Sequence, residues 1–199
     1  MLVGYEANNA LRNPQVMGDF CRNLVSRMAS RYNKQYRALL FSTRINPDYK
    51  TYFRSFANVS TYVPVGIAKV MPSAWMRYRL DPCLKTEKVQ IFHGLNEELP
   101  YHISRDIKTI ITCYGVESHQ RTSASDGLMW KRRMKYSFGA ADIIVAANND
   151  IRQQLIDFGV NADKIVVIGA ESGNPYELTD KMVEQYFQLY QRLAGEEKQ

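Results

Sequence analysis

At 199 residues the chain is long enough for one well-cored domain and marginal for two. Hydrophobic residues at 45% and charged residues at 23% are ordinary for a soluble globular protein, and no apolar run reaches the length of a membrane span. A net charge of +6, with a pI near 9.2, favours an anionic partner such as a nucleotide, a phospholipid face or nucleic acid; a merely soluble basic protein has the same balance.

Strand-like and helix-like periods alternate along the chain. Met1–Ala7 is a short apolar run of strand formers, too short for the core of a signal peptide. Gly18–Arg31 carries Phe20, Leu24, Val25 and Met28 at helical spacing. Tyr36–Ser42 reads as a second strand, Pro47–Ala57 as a short helix or turn, and Val59–Val63 as a third strand. Pro72–Leu80 is helical, with Trp75, Met76 and Leu80 on one side and Arg77 and Arg79 on the other. Lys88–His93 and Lys108–Cys113 are two further strands, separated by a loop holding Gly94, Asn96 and Pro100. Gly127–Gly139 is a basic helix, Asp142–Ala147 a strand, Asp150–Phe158 a helix and Lys164–Ile168 the last strand. Asn149 or Asp150 suits the N-cap of that helix and Gly159 its end. Such alternation predicts one α/β domain, a Rossmann-like three-layer αβα sandwich on a mostly parallel sheet. Beyond it, Gly169–Pro175 is rich in turn residues, and Met182, Val183, Tyr186, Leu189, Tyr190 and Leu193 form one stripe of a helix over Lys181–Leu193. A stripe that wide needs a partner surface. The preceding sheet domain is the natural one.

Few residues offer chemistry of their own. Cys21, Cys83 and Cys113 are odd in number and lack CxxC spacing, which fits reduced thiols in a cytoplasmic protein. His93, His102 and His119 are scattered, so no metal site is expected. Glu97 and Glu98 are adjacent on a loop and should point apart, as a solvated edge rather than an acid/base pair. Ser123, Ser125 and Asp126 lack a nucleophile elbow, and Gly4, Gly18, Gly94 and Gly115 make no dinucleotide fingerprint. The basic segments Trp130–Tyr136 and Lys69–Arg79 suit either a solvated helix face over a buried apolar one or a contact to anionic lipid.

Three stretches carry a resemblance: Gly4–Ala7 through Gly18–Leu24, then Ile91–Pro100, then Lys135–Phe138 through Ala141–Ala146 and on to Asp163–Ile168. In this order they resemble the N-terminal domain of a GT-B glycosyltransferase of the family-4 type, over most of residues 1–168. The resemblance implies that the nucleotide sugar binds mainly in a C-terminal donor domain, whose basic and Glu-rich motifs are not found here. Residues 1–168 are then the acceptor-side domain, 169–180 the seam where the donor domain would be, and 181–199 a C-terminal crossover helix and tail.

The chain departs from the family at three loops. Asn13–Gly18 keeps Gly18 but has Val16 where a second glycine is usual, which disfavours a phosphate at the backbone. Thr112-Cys113-Tyr114-Gly115 replaces a Thr-x-His-Asp pattern, and Asn148-Asn149 a Ser-Glu pair. No residue is therefore assigned a catalytic role. A ligand rim is expected at the C-terminal edge of the sheet around Asn8, Gly18, His93, Tyr114 and Asn148, with Tyr114 offering a sugar ring a stacking face. The function expected is that of a glycosyltransferase-like acceptor domain, not complete alone. The other reading is a non-catalytic module for a glycan or an anionic membrane. No cofactor and no nucleic acid are expected. The expected partners are a glycan or lipid-linked acceptor, a separate donor-binding chain, and the inner membrane face as a peripheral contact.

Overall fold

A computed structural model describes residues 1–116 and 124–195, with side chains for all of these but 124–126. His119 and Ser123, and the side chains of Ser125 and Asp126, lie outside the described residues. Seven strands form one sheet: β1 (Leu2–Glu6), β2 (Arg37–Phe41), β3 (Val59–Tyr62), β4 (Ile91–Gly94), β5 (Lys108–Cys113), β6 (Ile143–Ala146) and β7 (Ile165–Val167). Their order is β3-β2-β1-β4-β5-β6-β7, and every neighbouring pair is parallel. Parallel strands need helical crossovers, which cover both faces; Val3–Glu6 and Ile110–Cys113 are accordingly buried at every position.

The helices are α1 (Asn8–Arg12), α2 (Val16–Arg31), α3 (Pro47–Arg54), α4 (Pro72–Tyr78), α5 (Asp81–Thr86), α6 (Ala124–Ala140), α7 (Asn149–Asp157) and α8 (Asp180–Gly195). In α6, Trp130, Met134 and Phe138 are buried at four-residue spacing while Lys131, Arg132 and Lys135 are exposed, so one face packs and the other is solvated. Two short helices, α1 and α5, are not apparent in the sequence pattern. The N-cap of α7 is Asn148 rather than the expected Asn149 or Asp150: its Oδ1 accepts the Ile151 N–H at 2.8 Å.

α8 lies against α2 and β4. Met182, Val183, Tyr186, Phe187, Leu189, Tyr190 and Leu193 are all buried there, and the Phe187 ring stacks on Tyr32 with centroids 3.6 Å apart. The expected stripe is the buried one. Strand order changes direction between β1 and β4: β2 and β3 extend to one side, β5 to β7 to the other. In open α/β sheets, ligands bind outside the carboxyl ends of the strands at such a reversal.

Candidate functional site

A small cleft of about 110 Å³ occupies that position. The end of β1 supplies Glu6 and the first turn of α1 supplies Asn8; Thr43 follows β2, Ser73 and Arg77 come from α4, and Asn96 and Glu98 from the loop after β4. Successive strand side chains alternate between faces, so Glu6 turns to the cleft while Tyr5 turns to α8.

Glu6 is the chemically unusual member. It is 5% exposed, and burial raises its carboxyl to a pKa of about 8. The N–H groups of Asn8 oppose the shift, the nearby Glu98 adds to it, and Arg12 opposes it weakly. Oε1 accepts from the Asn8 backbone N–H at 3.3 Å and from Asn8 Nδ2. Oε2 is buried without a partner among the described residues. At neutral pH the proton therefore resides on Oε2, as a donor with no acceptor of its own. Leaving such a group unsatisfied costs about 1–3 kcal/mol.

Its surroundings are tightly held. Asn8 Oδ1 accepts from Ser42 Oγ at 2.9 Å, Thr43 N at 3.0 Å and Thr43 Oγ1 at 2.8 Å, which ties the end of β1 to that of β2. Arg12 donates to Thr43 Oγ1 at 2.8 Å. Glu98 lies 3.7 Å from Arg77 and 3.5 Å from Arg133, so α4 and α6 converge on it.

The five expected rim residues do not meet at one surface. Asn8 lines the cleft. Gly18 instead serves packing: a Cβ there would lie 1.9 Å from the Asn13 carbonyl oxygen. Buried Arg22 donates to the carbonyls of Ala10 at 3.1 Å and Asn13 at 2.7 Å, so this stretch turns oxygens inward, while Val16 stands 59% exposed. His93 is a correction to the rim, because its ring is wholly buried beneath α8. Its Nδ1 bonds Tyr190 Oη at 2.7 Å and its Nε2 bonds Thr112 Oγ1 at 2.8 Å; burial lowers its pKa to about 3, so it is neutral. Tyr114 is a second correction: Tyr176 stacks on its ring at 5.6 Å and Phe20 meets it edge-on at 5.4 Å, so the face assigned to a sugar is taken. Asn148 is occupied by its capping bond and by donating to the Gly173 carbonyl at 3.1 Å.

Glu97 and Glu98 do point apart, but Glu97 is buried rather than solvated, and its Oε1 accepts the Tyr114 N–H at 2.9 Å. Among the described residues no group of three His, Cys, Asp or Glu side chains could hold a metal ion. Glu6 itself carried no assigned role in the sequence. Its signal was a carboxylate closing an apolar strand, followed by Asn8 and Asn9.

The family model for Glycosyltransferase Family 4 matches residues 20–169. The chain belongs to this family. No curated protein matches the sequence. Among solved structures, the Anabaena protein Alr3699/HepE in complex with UDP-glucose is 10% identical with a TM-score of 0.54, over 84% of this chain and 43% of that one. The same protein with UDP and glucose gives a TM-score of 0.51 at 10% identity, again over 84% and 43%. A glycosyltransferase from Rickettsia africae is 15% identical with a TM-score of 0.51, over 96% of this chain and 49% of that one. These likenesses fix a GT-B half as the fold, and the family-4 chain spans about half the length of the structures it matches.

Proposed function

We propose that this chain is the acceptor-side domain of a sugar-nucleotide-dependent transferase, and that donor binding requires a second domain or a separate chain. The switch-point cleft supports the reading most directly. It presents two carboxyl groups, Glu6 and Glu98, and the one arginine among its described lining residues, Arg77, already faces Glu98. Such a lining suits hydroxyl groups, and among its described residues no unpaired cation is offered to a diphosphate. Glycosyl transfer breaks the bond from the anomeric carbon to the diphosphate and forms one to an acceptor oxygen, whose proton departs. The leaving diphosphate needs positive or N–H stabilisation that this cleft does not concentrate. On this reading α8 is the crossover helix, and the 169–180 connection marks where a donor domain is accommodated.

Calorimetric titration with uridine, guanosine and adenosine diphosphates and their sugars should show no micromolar binding. The labelled chain on an array of oligosaccharides and lipid-linked glycans should mark at least one. Micromolar nucleotide affinity, or an empty array, overturns the reading.

A peripheral membrane contact has its own observation. The turn after β3 exposes Ile67 by 92% and Val70 by 79%, with Val65, Met71 and Lys69 beside them and Arg77 and Arg79 close in sequence. Apolar tips among basic residues suit an anionic bilayer. Sedimentation with phosphatidylglycerol vesicles, lost in I67E/V70E and absent with phosphatidylcholine, is the expected result. Equal sedimentation of both proteins overturns it. No helix among the described residues is long and apolar enough to cross a membrane.

A further inference from the structure

Two open hollows join at the opposite end of the sheet from the cleft. The first, about 470 Å³, lies among Arg27 and Arg31 of α2, Tyr52 of α3, Phe56, and Asp180 and Val183 of α8. The second, about 560 Å³, lies among Ala29, Ser30, Lys34, Arg37 and the turn Ser55–Asn58; Ser30 and Phe56 line both. Arg37 opens β2 and Asn58 directly precedes β3, which places the hollows at the amino ends of those strands. The floor is apolar, with Ala29 and Val183 buried and Phe56 half-buried. The rim is cationic, with Arg27, Arg31, Lys34 and Arg37 all exposed. Asp180 and Glu184 reach Arg27 and Arg31 at 3.4 and 3.5 Å, exposed pairs that hold little. No carboxylate lines the second hollow among its described residues.

We propose that the joined hollows dock an amphipathic acidic helix of a partner protein, its carboxylates on the rim and its apolar side chains on the floor. The inference is independent of the acceptor-side reading. Carboxylates four residues apart on a helix are separated by about 6 Å along its axis, as Arg27 and Arg31 are along α2. An anionic bilayer takes protruding apolar residues into its headgroup boundary, which a hollow does not offer. A nucleic acid strand needs open ring faces for successive bases, but the Tyr52 and Phe56 rings meet edge-on at 64°. Charge and shape together favour the acidic helix.

The test is fluorescence anisotropy with a labelled synthetic helix that carries glutamate and leucine on adjacent stripes of one face. It should bind the full chain with micromolar affinity at low salt, and at least fivefold more weakly when salt rises from about 0.05 to about 0.5 M. The double variant Lys34→Glu/Arg37→Glu should lose at least tenfold. Lys131→Glu/Arg132→Glu makes the same change of net charge on the exposed face of α6 and should stay within twofold. A peptide with serine in place of leucine should bind at least threefold more weakly, because the floor is then unused. A melting curve for each variant confirms that it is folded. No binding, equal losses in the two double variants, or indifference to the serine peptide overturns the proposal. So does an oligothymidylate strand or a phosphatidylglycerol vesicle that binds more tightly than the peptide and is lost in Lys34→Glu/Arg37→Glu, which assigns the groove to nucleic acid or lipid.

Discussion

Six side chains carry one run of hydrogen bonds through the core under α8. Tyr36 donates to Tyr5 at 2.7 Å, Tyr5 to Tyr190 at 3.1 Å, and Tyr190 reaches His93 Nδ1 at 2.7 Å. That direction makes Nδ1 the acceptor, so Nε2 bears the proton, donates to Thr112 Oγ1, and Thr112 in turn donates to Tyr186 at 3.1 Å. Tyr190→Phe leaves His93 Nδ1 without a donor and the Tyr5 hydroxyl proton without an acceptor, although Tyr36 still donates to Tyr5. Urea denaturation should register a loss of about 1–3 kcal/mol; a change below about 0.5 kcal/mol would mean that the histidine finds another partner. At Gly18, any Cβ meets the Asn13 backbone, which a side-chain rotation cannot relieve. Gly18→Ala should therefore cost about 1–3 kcal/mol or more, read in the same assay. The sequence carried a signal for the histidine's true role: Tyr186 and Tyr190 are four residues apart on the buried stripe, and buried tyrosine hydroxyls need partners. Read alone, His93 had only its place at a strand end.

At the scale of elements, strands and long helices were legible because each has a strong period, whereas α1 and α5 have only five and six residues and too little pattern to stand out. The N-cap of α7 was misplaced because Asn148, Asn149 and Asp150 all suit a cap, and only the bond from Ile151 N selects among them. α8 was readable as buried, but its polar partners were not, since they lie on strands far away in sequence. Deleting the chain from Lys181 onward uncovers that apolar face at about 25 cal/mol per Å², takes the donor from His93 Nδ1 and removes the acceptors of the Tyr5 and Thr112 hydroxyl protons. The truncated protein should aggregate or melt far below the parent, measured by light scattering and thermal denaturation. A monomer with the parental melting temperature would show that α8 contributes nothing to this domain. The salt bridges from Arg27 and Arg31 to Asp180 and Glu184 are surface pairs at 3.4 and 3.5 Å and add little by comparison.

Over the whole molecule, two buried groups set opposite pH slopes. His93 binds its proton at about 3 when folded and near 6.5 when unfolded, so stability falls as pH drops through that interval. Glu6 binds its proton at about 8 when folded and near 4.5 when unfolded, so stability falls as pH rises from 4.5 to about 8. Between 4.5 and 6.5 the two slopes, each about 1.4 kcal/mol per pH unit, oppose one another. Unfolding free energy should be level there and decline on both sides, and Glu6→Gln should remove the alkaline decline; a wild type whose stability peaks at pH 8 would contradict this. The alternating pattern announced the sheet, and the family resemblance its N-terminal half, but the cleft was only partly legible. Asn8 could be placed on the rim from strand order, while the pairing that buries one oxygen of Glu6 depends on three-dimensional crowding that one-dimensional spacing does not encode. The connection from Ile168 to Asp180 has exposed residues at its tip, with Gly173 in the left-handed region at φ 76°, and α8 is held by its own side chains rather than by that loop. Loop-closure entropy grows only with the logarithm of length, so an eightfold longer connection costs about 2 kcal/mol. The seat of α8 is thus nearly indifferent to how much chain is spooled out before the helix returns. In topological language, sheet and helix form a pair of brackets, and an independently folding insert can stand between them without disturbing either.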